Sequence, residues 1–403
     1  MRAKKAKHGG ISAALVAGAM LGGCGGSKPV AAPVVVGLAP ANPQAVSLMV
    51  QGVQAAKEPN GRERAIGLLR EAIIQDKNLW EARYDLGVVL ASAGDLAGAE
   101  EQLRAAAKLA PEAVDVVIAL AEVQRRRGEN REAADALGDY LQTHAQAVEA
   151  RMLYVGALRN SGQVEKAIAQ ARELLVRKPG DASALAELAL CHLSKGERDT
   201  ASLLAKQALD SNPKSAIAER ATGLIALANG DDALAFQAFL KATQEDPRDT
   251  TARLNMGGVL LRAGAYAKAE EQYRAILVVS PEDADAAVGL AAALRGEADT
   301  QHPAKLDEAK SLLEKVLAAD PHNVSALFNL GVLYTDFLKK PEDARGHFRR
   351  FLTDARSDHP SRPEAERYLS VMKPLPPPPP PPPPPVAPPP PKAPVPGAKA
   401  GGK

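Results

Sequence analysis

Two cysteines occur in 403 residues, and they are the first places to look for covalent chemistry. Cys24 stands between two pairs of glycines in "MLGGCGGS", and Cys191 is followed by His192. A thiol beside an imidazole is the pairing of a nucleophile with its base. Adjacent residues on a helix, however, point about 100° apart and cannot easily meet at one substrate atom. Cys191 also falls one turn after Glu187 on an apolar stretch, where it reads as a small core residue. His144, His302, His322, His347 and His359 share no metal-ligand spacing, and the chain has no P-loop, H-E-x-x-H, G-x-S-x-G or C-x-x-C motif. These residues support no enzyme activity, no cofactor and no metal site.

Cys24 needs another reading. Arg2, Lys4, Lys5 and Lys7 make a basic start, and "ISAALVAGAML" (Ile11 to Leu21) is mostly apolar. Those are the charged and apolar regions of a signal peptide, too short for a bilayer span of ~20 residues. The stretch ends Leu21-Gly22-Gly23-Cys24, which resembles the bacterial lipobox. The resemblance implies a diacylglyceryl group on the Cys24 thiol, cleavage before Cys24 and acylation of the new amino terminus. The glycines suit a chain that must enter an enzyme cleft in extended form. Several acyl chains make a stable anchor where one is marginal. Gly25, and not Asp, follows the cysteine, so the same resemblance implies the periplasmic face of the outer membrane. Residues 1–23 are then a leader, and residues 24–45 a lipidated cysteine with a Pro/Gly/Ala tether able to span up to ~60 Å.

Composition narrows the rest. The net charge is +2, but four basic residues and no acidic ones lie in the leader, so the remainder is slightly acidic. A chain so balanced has no general electrostatic reason to bind nucleic acid. Aromatics are only 3% and alanine is abundant, which suits closely packed helices.

The body repeats. Pro179, Pro213, Pro247 and Pro281 stand 34 residues apart, and the register runs back through Ala145 to Pro111. A second marker, twelve residues upstream in each unit, is alanine every time: Ala65, Ala99, Ala133, Ala167, Ala201, Ala235 and Ala269, resumed at Ala309 and Ala344 after a slip. Within "TTARLNMGGVLLRAGAYAKAEEQYRAILVVSPED" (Thr250 to Asp283), apolar residues mark a first helix that Gly264 ends. Ala269, Tyr273, Ile276 and Leu277 then form one face of a second helix that stops at Pro281. Small residues at Gly257 and Ala269 let the two helices approach closely.

At these positions the chain resembles the tetratricopeptide repeat (TPR) family, whose 34-residue signature is W-x2-LG-x2-Y followed by A-x3-F and P. "YDLGVVLASAGDLAGAEEQLRAAAKLAP" (Tyr84 to Pro111) and "LFNLGVLY" (Leu327 to Tyr334) carry it most closely. The resemblance implies an all-α right-handed solenoid of about nine helix-turn-helix units over residues 46–357. The units begin near Val46, Trp80, Val114, Val148, Ala182, Ala216, Thr250, Ala284 and Val324. The first is degenerate, and the eighth carries six extra residues around "GEADTQHPAK". "RPEAERYLSVM" (Arg362 to Met372), within residues 358–373, reads as the capping helix that a stacked array needs. Residues 374–403 are a proline-rich tail, expected to be polyproline II or disordered. That tail is a spacer, a ligand for a proline-reading partner, or a basic foot on the cell wall.

The resemblance also says where binding occurs, on the concave face lined by the first helices. Applied here, it nominates Tyr84, Val88, Ile118, Met152, Leu190, Leu224, Leu254, Phe328 and Val332 as apolar centres. Glu122, Arg125, Arg126, Arg159, Arg220, Arg262 and Arg295 are nominated beside them. Such a groove would take a hydrophobic segment flanked by acidic residues. Lipobox, tether, long array and proline-rich tail together look like the outer-membrane TPR lipoproteins that organise envelope machines. Among those, the layout is most similar to the gliding-motility lipoproteins of myxobacteria. Pilotins of type IV pilus secretins, the alternative, are shorter and lack such a tail; scaffolds for cell-wall enzymes share the plan. The implied partners are other envelope proteins through the groove and the membrane through the lipid.

Overall fold

Stretches rich in alanine, leucine, glutamate and arginine, all good helix formers, fill most of the units and are interrupted at a fixed interval by a glycine turn and a proline. In a computed structural model, residues 40–298 and 304–372 are described, and among them there are 19 helices and no strand. Cys24, the leader, most of the tether and the proline-rich tail lie outside the described residues.

The helices come in pairs: α1 (Pro43–Ala56) and α2 (Arg62–Gln75); α3 (Trp80–Ala93) and α4 (Leu96–Leu109); α5 (Val114–Arg126) and α6 (Asn130–Thr143). Next are α7 (Val148–Asn160) and α8 (Val164–Arg177); α9 (Ala182–Ser194) and α10 (Arg198–Ser211); α11 (Ala216–Ala228) and α12 (Asp232–Glu245). Then follow α13 (Thr250–Arg262) and α14 (Tyr266–Val279), α15 (Ala284–Glu297) and α16 (Ala304–Ala319), and α17 (Val324–Val332) and α18 (Pro341–Asp354). A single helix, α19 (Arg362–Val371), packs on α18. Odd-numbered helices up to α17 are the first helices of nine units, and even-numbered ones are the second. This is the all-α solenoid that the sequence implies.

Local chemistry sets the boundaries. Asp181, Asp249, Asp283 and Asn323 cap the starts of α9, α13, α15 and α17, each side chain accepting the backbone N–H three residues on. The turn inside most units needs a left-handed residue and has glycine there, as at Gly128 (φ 79°) and Gly230 (φ 78°). All nine marker alanines are at most 1% exposed, so each sits where two helices cross. On the facing helix the smallest residue is needed too. A Cβ on Gly87 would lie 2.6 Å from Leu103 Cγ, and one on Gly331 would lie 2.7 Å from Phe348 Cε1. Phe239, Phe348 and Phe351 fill the wider gaps and are fully buried.

Besides the longer eighth unit, two others depart from the 34-residue register. In the first, the close-contact glycine is Gly52, against Leu69, one residue earlier than a start near Val46 requires. Helix α1 accordingly starts at Pro43, and the extra residue lies in a turn where Asn60 takes φ 61°. In the ninth, one additional residue is absorbed as a π turn, Leu333–Phe337, that prolongs α17.

Candidate partner-binding groove

Each first helix contacts the next, from α1 through to α17, so these nine helices form one continuous row. The row is the concave wall of the array, and every nominated residue is on it.

The wall sorts those residues in a way their spacing did not. Tyr84, Val88, Ile118, Leu190 and Val332 are 7%, 7%, 1%, 3% and 8% exposed, so they belong to the core and not to a binding surface. Neighbouring first helices lie close because small side chains separate them. The larger apolar residues therefore fall into the seam between helices. Met152, Leu224, Leu254 and Phe328 are half-buried, packed on the core with part of their surface free. Phe328 is braced from below by Phe348 and Phe351, with ring centroids 6.0 and 5.3 Å away. Of the nominated apolar residues, these four keep free surface on the row.

The arginines are mostly engaged by the chain itself. Arg125 makes a two-pronged pair with Glu122 at 2.9 and 2.7 Å, and it also senses Asp249 and Asp283, which are more than a hundred residues away in sequence. Arg262 holds Asp232 in the same forked manner and depresses that carboxyl below its ordinary range. In the middle of the wall the charges form a ladder. Arg159 Nη2 reaches Glu187 at 3.5 Å, Arg220 reaches the other oxygen of Glu187 at 3.9 Å, and Arg220 Nη1 bonds Asp249 at 2.9 Å. Glu187 and Asp249 are buried carboxylates, and their cations are what make that burial tolerable.

Arg126 closes a longer loop. Its guanidinium donates to the Ala91 carbonyl at 3.1 Å and to Glu282, 156 residues away in the turn before α15. Glu282 is also close to Gly94, where a Cβ would meet Glu282 Oε2 at 3.2 Å. The superhelix therefore curls until its second and third units touch the turn between the seventh and eighth. No local pattern in the sequence pairs these positions.

Two charges differ from the rest. Asp85 on α3 is 3% exposed, its Oδ2 has no hydrogen-bond partner, and burial with Glu81 nearby pushes its carboxyl up to about 8. Arg295 on α15 donates to the neutral Asn329 at 3.1 Å and lies over the ring of Phe337, 5.7 Å from its centroid. Burial pulls its pKa down. Sequence reasoning missed Asp85, although an acid inside the apolar "YDLGVVL" was a visible signal.

Cys191 is fully buried in the core, and burial pushes its thiol up to about 12, the opposite of what a nucleophile needs. His192 hydrogen-bonds Glu197 at 2.5 Å, away from any shared site with the thiol. Among the described residues, no group of three His, Cys, Asp or Glu side chains is placed to hold a metal. No described helix is long and apolar enough to cross a membrane.

The model of a known family, the tetratricopeptide repeat, matches the chain over residues 53–114, 118–182, 157–201, 186–250 and 304–369. No curated protein matches the chain. Among solved structures, the chain is similar to the Cut9–Hcn1 hetero-tetramer of APC/C at 14% identity and a TM-score of 0.51, covering 82% of this chain and 63% of that one. MamA (residues 41 to the end) from Desulfovibrio magneticus RS-1 is 22% identical over 44% of this chain and 97% of that one, with a TM-score of 0.38. YrrB, a TPR protein with an unusual peptide-binding site, is 19% identical over 48% and 97% of the two chains, with a TM-score of 0.33. At 14% identity the likeness to Cut9–Hcn1 is one of fold.

Proposed function

We propose, since this chain belongs to the tetratricopeptide repeat family, that it is a binding scaffold that holds protein partners in its concave groove. The observation that carries this reading is the unbroken row of nine first helices, with Met152, Leu224, Leu254 and Phe328 partly exposed along it. Partly exposed apolar side chains along a concave wall are what an apolar helix or extended segment needs.

The finer proposal concerns place and pathway. Cys24 carries the lipid, the tether lifts the array from the outer membrane into the periplasm, and the scaffold assembles an envelope machine, gliding motility being the one we favour. A lipobox followed by a tether, a long array and a proline-rich tail supports it. A pilotin-like role at a secretin is the alternative, and the length of the array speaks against it.

The test is co-purification from detergent-solubilised envelopes of cells making the full chain. Cys24→Ala should move the protein to the aqueous fraction. The double variant Met152→Glu/Leu254→Glu should lose the partner while circular dichroism shows the helices intact, and removal of residues 374–403 should not. Partners that survive the double variant but go with the tail would transfer recognition to the proline-rich segment. Charge reversal at Arg126 or Arg159 is a poor probe, because both are held by the chain's own carboxylates.

A further inference from the structure

Because the array repeats, one part of its groove can be compared with another. Arg159 and Arg295 hold the same place in their units, the twelfth residue of α7 and of α15. Each reaches the sixth residue of the next first helix. For Arg159 that residue is Glu187, a carboxylate. For Arg295 it is Asn329, whose Oδ1 accepts at 3.1 Å while its Nδ2 donates to the Ser325 carbonyl at 2.9 Å. The amide is thus fixed with its acceptor toward the guanidinium, but it brings no charge.

Arg125, Arg126, Arg159, Arg220 and Arg262 each meet a carboxylate of this chain. Arg295 meets none within ion-pairing distance among the described residues. The nearest candidates are otherwise placed: Asp336 accepts the Tyr368 hydroxyl, and Glu364 is paired with Arg367 at 3.7 Å. Both carboxylates act on Arg295 from a distance, but a part-buried guanidinium with no carboxylate in contact is still costly.

The backbone beside it is unusual as well. The extra residue of the ninth unit makes a π turn, with the Leu338 N–H donating to the Leu333 carbonyl at 3.0 Å. Lys339 then takes φ 57° at the place where most other units have glycine. The result puts Phe337 against Arg295 with 37% of its surface exposed. Strain of this kind persists where a fold or a function requires it.

We propose that Arg295, Asn329 and Phe337 form a receptor for an aspartate or glutamate side chain of a partner segment, with the partner's adjacent apolar residue against Phe337. The carboxylate would take the guanidinium edge that Asn329 leaves free, as Glu187 does within the fourth and fifth units. This inference rests on the reading of the groove as a binding surface for a protein segment, and it adds which chemistry the C-terminal end of that surface selects.

The experiment uses the full chain and two fluorescein-labelled twelve-residue peptides, one carrying Leu-Phe-Asp-Leu in an Ala/Ser background and one carrying Leu-Phe-Asn-Leu, followed by fluorescence anisotropy. The aspartate peptide should bind about tenfold more tightly, the worth of a charge-assisted hydrogen bond. Arg295→Gln should erase that preference. So should Asn329→Asp, which supplies an internal carboxylate of the same size at the cost of the hydrogen bond to Ser325. Arg274→Gln, on the second helix α14 and paired with Glu270 and Glu308, should leave the preference in place. Equal binding of the two peptides overturns this inference and keeps the groove reading, whereas binding of neither overturns both. A preference that survives in Asn329→Asp and Arg295→Gln assigns the acidic side chain to another part of the wall and also overturns it.

Discussion

At the junction of the fourth and fifth units, Arg159 and Arg220 converge on Glu187, and Arg220 goes on to Asp249. At the junction of the eighth and ninth, Arg295 makes the same reach and finds an amide. Near the other end, Asp85 is the second unit's counterpart of Glu187, and the counterpart of Arg159 is Ala56, too short to meet it. The same two helix positions face each other at all three junctions, although the turns that follow them differ in the first and ninth units. The difference shows that a repeat copies positions but not pairings: charge is closed in the middle of the array and left open towards its ends, as an acid without a base in the second unit and a base without an acid in the eighth.

Breaking the closed pair should give the largest effect. Glu187→Leu leaves Arg159 with no carboxylate partner and Arg220 with only Asp249, which should cost about 3 kcal/mol in urea unfolding, typical of removing one member of a buried ion pair. A loss below about 1 kcal/mol would mean that water in the groove solvates the guanidinium groups as well as Glu187 does.

Asp85 sharpens the comparison through pH. Its carboxyl titrates at about 8 in the fold, against about 4 in an unfolded chain. A raised carboxyl pKa means the fold favours the neutral form. The stability it contributes is therefore complete below the ordinary carboxylate range and is lost as pH climbs through about 8. Asp85→Asn cannot ionise, so it should gain stability relative to the parent steadily as pH rises from 4 to 8 and be nearly equal to it at pH 4. Urea midpoints for both proteins at several pH values check this, and a difference independent of pH would show that the carboxyl is hydrated.

The smallest effect comes from closing the open pair. Asn329→Asp recreates at Arg295 what Glu187 provides for Arg159, and it should add about 1 kcal/mol to stability. A destabilisation beyond the about 1 kcal/mol of the lost Ser325 hydrogen bond would mean that Asp336 and Glu364 already supply Arg295 with as much negative potential as it can use.

Much of the fold was legible in the sequence, and for a clear reason. Marker alanines, turn glycines and stop prolines act within one unit, over contacts that the 34-residue spacing brings together whatever the rest of the chain does. The site was only partly legible. Met152, Leu224, Leu254 and Phe328 stay at the groove, while Tyr84, Val88, Ile118, Leu190 and Val332 sink into seams whose depth depends on how closely neighbouring first helices pack. Arg295 was nominated, but its isolation could not be read without knowing that an extra residue had swung Phe337 over it and left Asn329 opposite.

The sequence by itself determined where helices start and stop, which faces meet inside a unit, and that the units stack, because each of these follows from local periodicity and side-chain size. Cys24 and its lipobox are also read there alone, outside the described residues. Only the tertiary structure decided which charges find partners. The rotation from one unit to the next is small, but it accumulates over five units until Arg126 meets Glu282, 156 residues away. A pairing that depends on a summed curvature is not written at either of its two positions.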